Sequence, residues 1–202
     1  MHPKTLAFAG TTALFLALDQ FSKWLTRANL APYRDEYVLI PNFFSFAHAK
    51  NKGAAFSALD DFEYRYHVFF TLTAVAVVVL FQGYRQLRDD DRVQGAAMGF
   101  ILSGALGNFV DRLLFREVTD MFKVQWGWEP GRSALIHGFE PFKGWFGWDG
   151  FGTSVWPIFN IADSCIFIGL GLFALGFLFE KDTPAEATGP AKAAPESAPS
   201  LE

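Results

Sequence analysis

Long apolar stretches constrain this chain more than any other feature. The first runs from Thr5 to Leu25, and its first 14 residues carry no charge. Three more follow, at 67–84, from 93 to about 115, and at 157–179. Because a helix needs about 20 apolar residues to cross the hydrocarbon core of a bilayer, the pattern predicts an α-helical integral membrane protein with four transmembrane helices. The first stretch also fits a cleaved signal peptide, since Lys4 precedes it.

The composition excludes several other classes of protein. Hydrophobic residues make up 51% of the chain and charged residues 19%, against roughly 45–50% and 25% in soluble domains. The net charge of −4 offers no basic excess for binding nucleic acid. The single cysteine, Cys165, excludes an intrachain disulfide and a multi-cysteine zinc site. The four histidines are scattered, which disfavours a histidine metal site. We expect no metal and no cofactor.

Lysine and arginine in short loops predict the orientation. Arg85, Arg88 and Arg92 crowd one short link, and Lys4 precedes the first helix. These charges place both termini in the cytoplasm and the loops at about 26–66 and 116–156 in the periplasm. Residues 1–180 then form one transmembrane domain. The tail, 181–202, is rich in alanine and proline and should be disordered.

The two outer loops have distinct compositions. The segment 37–48 mixes β-branched and aromatic residues, which indicates short strands in a small β-rich element on the membrane surface. The second loop holds five of the six tryptophans and many glycines between Lys123 and Trp156. Tryptophan favours the headgroup layer, so this segment is expected to rest at the membrane interface as a lid or platform. An aromatic mini-core within the loop explains the same composition.

Polar residues in the spans gather at one predicted depth. Each charge within a span is costly and therefore marks a candidate functional site. In the predicted topology, the outer ends of helices one, three and four carry these residues, and one aspartate follows the third helix. They are Asp19, Lys23, Asn108, Asp111, Arg112, Asp120, Asn160 and Asp163. Their i, i+3 and i, i+4 spacings put them on single helix faces, so three helices should direct polar faces at one place.

Two carboxylates are the best candidates for chemistry. Held close together they cannot both ionise, so one can deprotonate water while the other protonates an amide. Asp120 and Asp163 are the natural pair. Ser22 beside Lys23 suggests a Ser-Lys alternative, but adjacent helical side chains point about 100° apart.

Five sequence blocks, in order, resemble the signatures of lipoprotein signal peptidase, also called signal peptidase II. They span 19–23, 51–56, 104–112, 118–120 and 159–163. The resemblance implies an aspartic endopeptidase of the bacterial inner membrane that removes signal peptides from prolipoproteins. It implies cleavage on the N-terminal side of a diacylglyceryl-modified cysteine, and inhibition by globomycin. We expect it to act as a monomer.

The resemblance also assigns residues. Asp120 and Asp163 take the catalytic positions. The supporting positions are Asp19, Lys23, Asn51, Gly53, Asn108, Asp111, Arg112 and Asn160. Two departures from the family stand out. The link between the two aspartates is long, and Met121 stands where phenylalanine is common.

Two alternative functions remain open on the sequence. One is a non-catalytic or divergent binder of lipidated signal peptides, although both aspartates are retained. The other is a small channel or transporter with carboxylates in its pathway. The apolar inner half of the spans disfavours a continuous polar pathway.

Overall fold

A computed structural model describes residues 1–41, 43–52, 64–125 and 156–179. Within this part of the chain lie four helices and three strands. The helices are α1 (Pro3–Asn29), α2 (Arg65–Gln86), α3 (Arg92–Phe115) and α4 (Ile161–Phe179). The strands are β1 (Glu36–Ile40), β2 (Phe44–Asn51) and β3 (Val118–Val124). The predicted Trp-rich segment, the tail and Gly53 lie outside the described residues, apart from Trp156 and a few flanking positions.

Helix α3 lies at the centre and packs against each of the other helices. Small residues allow this close approach, as is common where helices meet in membranes. A Cβ atom added to Gly99 would lie 2.7 Å from the backbone oxygen of Phe8 in α1. One added to Gly104 would collide with the backbone oxygen of Ala162 in α4. Glycine therefore sets the spacing of α1 and α4 around α3.

The strands form an antiparallel sheet in the order β1-β2-β3. The sequence predicted β1 and β2 but not β3, which follows α3 after a left-handed turn at Arg116 (φ 63°). Met121 and Thr26 make contact on the side of β3 that faces α1. The sheet therefore sits against the end of the bundle, with Asp120 beside the helix termini.

The membrane prediction is supported in part. Within the described ranges, two segments are long and apolar enough to cross a bilayer, Tyr66–Gln86 and Arg92–Phe115, and a shorter apolar run spans Ile161–Gly176. Helix α1 is 27 residues long but includes Lys4, Asp19, Lys23 and Arg27. Four spans therefore stay a prediction, although the four helices themselves are present.

The fourth helix begins later than predicted. It starts at Ile161 and not at 157, because the preceding residues pair with the sheet. The backbone oxygen of Phe159 accepts hydrogen bonds from the N–H groups of Met121 and Phe122. Asn160 is consequently the residue before the helix and not part of its first turn.

Candidate active site

A buried ion pair in α1 forms one side of the site. Lys23 Nζ lies 2.9 Å from Asp19 Oδ2, and both side chains are almost fully buried. The carboxylate fits against α3 because Gly107 has no side chain, and a Cβ there would collide with it. Asp19 Oδ1 also accepts a 2.9 Å hydrogen bond from the backbone N–H of Ala162. The pair predicted from i, i+4 spacing thus joins α1 to α3 and α4.

Asp111 in α3 is the second buried acid of this group. It lies 3.6 Å from Lys23 Nζ and 3.3 Å from Arg27 Nη1. Its Oδ2 accepts a 2.9 Å hydrogen bond from the backbone N–H of Thr119. Two cations and one peptide N–H therefore satisfy this carboxylate, which suits a structural role.

A reciprocal cap fixes the start of α4. Asn160 Oδ1 accepts from the N–H of Asp163 at 3.0 Å, and Asp163 Oδ2 accepts from the N–H of Asn160 at 3.3 Å. This is the geometry of a capping box, which satisfies free N–H groups in the first turn. Asp163 is therefore held at a helix N-terminus, where the helix dipole favours negative charge.

Two asparagine amides connect the carboxylates. Asn160 Nδ2 donates to Asp120 Oδ1 at 2.6 Å and to Asn108 Oδ1 at 3.2 Å. Asn108 Nδ2 donates to Asp163 Oδ1 at 2.9 Å, and its Oδ1 accepts from Lys23 Nζ at 3.0 Å. Asn51 Nδ2 reaches Asp120 Oδ2 at 3.1 Å from β2. The structure thus brings together the predicted residues of α1, α3, α4 and the sheet.

Arg112 lies at the edge of this group. Its Nη1 donates to the backbone oxygen of Asn108 at 3.4 Å, and its guanidinium lies over the ring of Phe69, 4.1 Å from the centroid. Ser22 Oγ donates to the backbone oxygen of Asp19, whereas Lys23 contacts the buried acids, so the geometry does not favour the Ser-Lys alternative.

The environment of Asp120 changes its protonation. Burial, and then the negative charge of Asp163, raise the pKa of Asp120 to about 7, against hydrogen bonds from Asn51 and Asn160 that lower it. A carboxyl group in this range can both hold and release a proton near neutral pH. Asp120 therefore has the electrostatics of a general acid or base near neutral pH.

The raised pKa of Asp120 predicts a pH effect on stability. The folded protein holds this proton more tightly than the unfolded chain, so the free energy of unfolding should fall as pH rises toward 7. Asp120→Asn cannot ionise and should lack this effect. Thermal unfolding in one detergent at about pH 5 and about pH 7 should show wild type losing about 2 kcal/mol relative to the variant. A pH-independent difference would contradict it.

Sequence reasoning missed three contributors. Arg27 continues the α1 face of Asp19 and Lys23 by one more i+4 step, a signal that was available. Gln20 Nε2 donates to Asp19 Oδ2 and to the oxygen of Gly107, both at 3.1 Å. Thr119 could be placed only once β3 was known.

Among the residues that the structure describes, no cluster of three or more His, Cys, Asp and Glu side chains could hold a metal ion. The candidate reacting groups are the two carboxylates, which accept hydrogen bonds from asparagine amides. Cys165 is buried and free.

A helical bundle with a small antiparallel sheet at one end is a fold that this chain shares with solved structures of bacterial membrane enzymes. One, described as a bacterial membrane enzyme determined by the in meso method at 2.3 Å resolution, superposes with a TM-score of 0.68 at 26% identity, covering 92% of this chain and 97% of that one. A second, described as a bacterial membrane enzyme determined by the same method at 1.9 Å resolution, has a TM-score of 0.64 at 24% identity, covers 85% of this chain and 92% of that one, and supports the fold.

Sequence comparison identifies the family. The signal peptidase (SPase) II family matches residues 11–179. The chain is 35% identical to the lipoprotein signal peptidase of Geobacter metallireducens, covering 88% of this chain and 94% of that protein. The enzyme of Syntrophotalea carbinolica is 36% identical, over 80% of this chain and 84% of that one. The chain belongs to the signal peptidase II family.

Proposed function

We propose that this protein is an aspartic endopeptidase that removes signal peptides from diacylglyceryl-modified prolipoproteins. Family membership supports a peptidase acting on lipoprotein precursors. The observation that carries the aspartic assignment is the coupling of Asp120 and Asp163. Asn160 binds both carboxylates, and burial, followed by the charge of Asp163, raises the pKa of Asp120.

In the proposed reaction the pair shares one proton. The ionised carboxylate takes a proton from water, and the hydroxide oxygen forms a bond to the carbonyl carbon before the lipidated cysteine. The protonated carboxyl donates to the carbonyl oxygen. When the tetrahedral intermediate collapses, the C–N bond breaks and the cysteine amine leaves with a proton from the pair. One hydroxyl of the intermediate returns its proton to the pair and becomes the carbonyl oxygen of the released acid, so the pair again holds one proton. The other predicted site residues bind substrate or hold the two carboxylates in place. They are Asp19, Lys23, Asn51, Gly53, Asn108, Asp111, Arg112 and Asn160.

The position of the site along the helices fits this substrate. Lys4, at the start of α1, binds the backbone oxygen of Leu87 and the carboxylate of Asp89 in the α2–α3 link. Lys23 lies 19 residues further along α1, which is roughly 28 Å at 1.5 Å per residue. This is close to the ~30 Å hydrocarbon thickness. We place the termini in the cytoplasm and the site at the periplasmic leaflet of the inner membrane, the level of a lipidated cysteine.

A matched pair of substrates tests this function. Purified protein in detergent should cleave a prolipoprotein that carries diacylglycerol on its cysteine, leaving that cysteine as the new N-terminus by mass spectrometry. The same precursor without the lipid should be cut far more slowly. Equal cleavage of both forms, or no cleavage of the lipidated form, would contradict the proposal.

A further inference from the structure

Arg27 is a charged residue beside the site, and the proposed mechanism gives it no role. Its side chain is 23% exposed and lies at the end of α1. Its Nη1 atom lies 3.3 Å from Asp111 Oδ1 and donates to Thr119 Oγ1 at 3.0 Å. Its guanidinium also lies over the ring of Phe115, 4.3 Å from the centroid. One side chain thus joins α1, the end of α3 and β3.

The contact with β3 is adjacent to a proposed catalytic residue. Thr119 directly precedes Asp120, and its backbone N–H is held by Asp111 Oδ2 at 2.9 Å. Arg27 binds the hydroxyl of the same threonine. Thr119 is therefore fixed at its backbone N–H by Asp111 and at its hydroxyl by Arg27. Arg27 also contacts the carboxylate of Asp111.

Arg27 is also connected to Asp163, through Asp111, Lys23 and Asn108. Asp111 shares its charge between Arg27 and Lys23, and the Lys23 contact is the longer one at 3.6 Å. Without Arg27, the unpaired part of the Asp111 charge would attract Lys23 Nζ away from Asn108 Oδ1, which it now contacts at 3.0 Å. Asn108 in turn holds Asp163.

We infer that Arg27 is a positioning residue for the reaction, which sets the placement of Asp120 through Thr119 and that of Asp163 through Asp111, Lys23 and Asn108. The inference rests on the proposed function. Arg27 acts through Thr119 and Asp111 and is not proposed to touch the substrate or the reacting atoms. Its Nη1 atom donates to two acceptors while the planar guanidinium stacks on a ring, and a lysine ammonium cannot reproduce the stacking.

Steady-state cleavage of a lipidated prolipoprotein tests the inference. Arg27→Gln should lower kcat by about tenfold to a hundredfold, the cost of a small misplacement of reacting groups, with KM changed by less than about twofold. Arg27→Lys should recover part of kcat. Arg34→Gln, which removes an exposed arginine from the outer loop, is the matched control and should behave as wild type.

A double variant separates positioning from general destabilisation. Thr119→Val removes the hydroxyl that Arg27 binds, so Arg27→Gln with Thr119→Val should lose less kcat than the two single losses multiplied. Wild-type kcat in folded Arg27→Gln, or a loss confined to KM, would overturn the inference. Failure of wild type itself to cleave the lipidated precursor would instead overturn the proposed function.

Discussion

Replacing Lys23 with methionine should destabilise the folded protein by about 3–5 kcal/mol, the cost of removing one partner from a buried ion pair. Lys23 is fully buried and contacts Asp19, Asn108 and Asp111. Among the residues that the structure describes, its loss leaves Asp19 without a paired cation and Asp111 with Arg27 alone. Methionine has a similar length, so the effect should come mainly from charge. Thermal unfolding in detergent, followed by circular dichroism, measures it.

Lys123→Met is the matched control. Lys123 pairs with Glu36 at 2.7 Å on the sheet, and both side chains are partly exposed. Exposed pairs contribute about 0–1 kcal/mol, so this variant should unfold close to wild type. Adding Asp19→Asn to Lys23→Met should restore part of the stability, because asparagine keeps an oxygen for the Ala162 N–H without an unpaired charge. Equal effects of the two lysine variants would contradict a buried network.

Residues on regular helices could be placed from sequence alone. The i, i+4 spacing of Asp19 and Lys23 predicted their ion pair, and the spacing of Asn108 and Asp111 predicted a shared face of α3. Such local patterns depend only on the geometry of one helix, which is the same in any fold. The meeting of three polar faces followed from the predicted depth of each residue.

Features that depend on contacts between residues far apart in the sequence could not be predicted from local spacing. Strand β3 exists because it pairs with β2, some 70 residues earlier in the chain. The late start of α4 has the same origin, since Phe159 pairs with Phe122. The spacing of Asn160 and Asp163 suggested a helical face, whereas the structure makes them a reciprocal cap. Tertiary pairing overrides local pattern at such positions.

Asp120→Asn and Asp163→Asn should each lower the cleavage rate by about a thousandfold, within the range for loss of a general acid or base. Asparagine has nearly the same volume as aspartate but cannot accept and return a proton. The amide partners Asn51, Asn108 and Asn160 would remain to hold the site together. The fold should therefore survive better than turnover. Because two carboxylates supply both acid and base, a metal chelator should leave the wild-type rate unchanged.

Asp90→Asn is the control for these variants. Asp90 lies in the exposed α2–α3 link, where it pairs with Arg88 at 3.3 Å, and its loss should not affect cleavage. Each variant's thermal unfolding in the same detergent establishes that it is folded before its rate is interpreted.

The most direct test of the two-aspartate mechanism is the single-turnover rate at which folded Asp120→Asn and Asp163→Asn cleave a diacylglyceryl-modified prolipoprotein. The mechanism predicts that both rates fall by about three orders of magnitude while Asp90→Asn matches wild type. Cleavage by either of the two asparagine variants at close to the wild-type rate would contradict it.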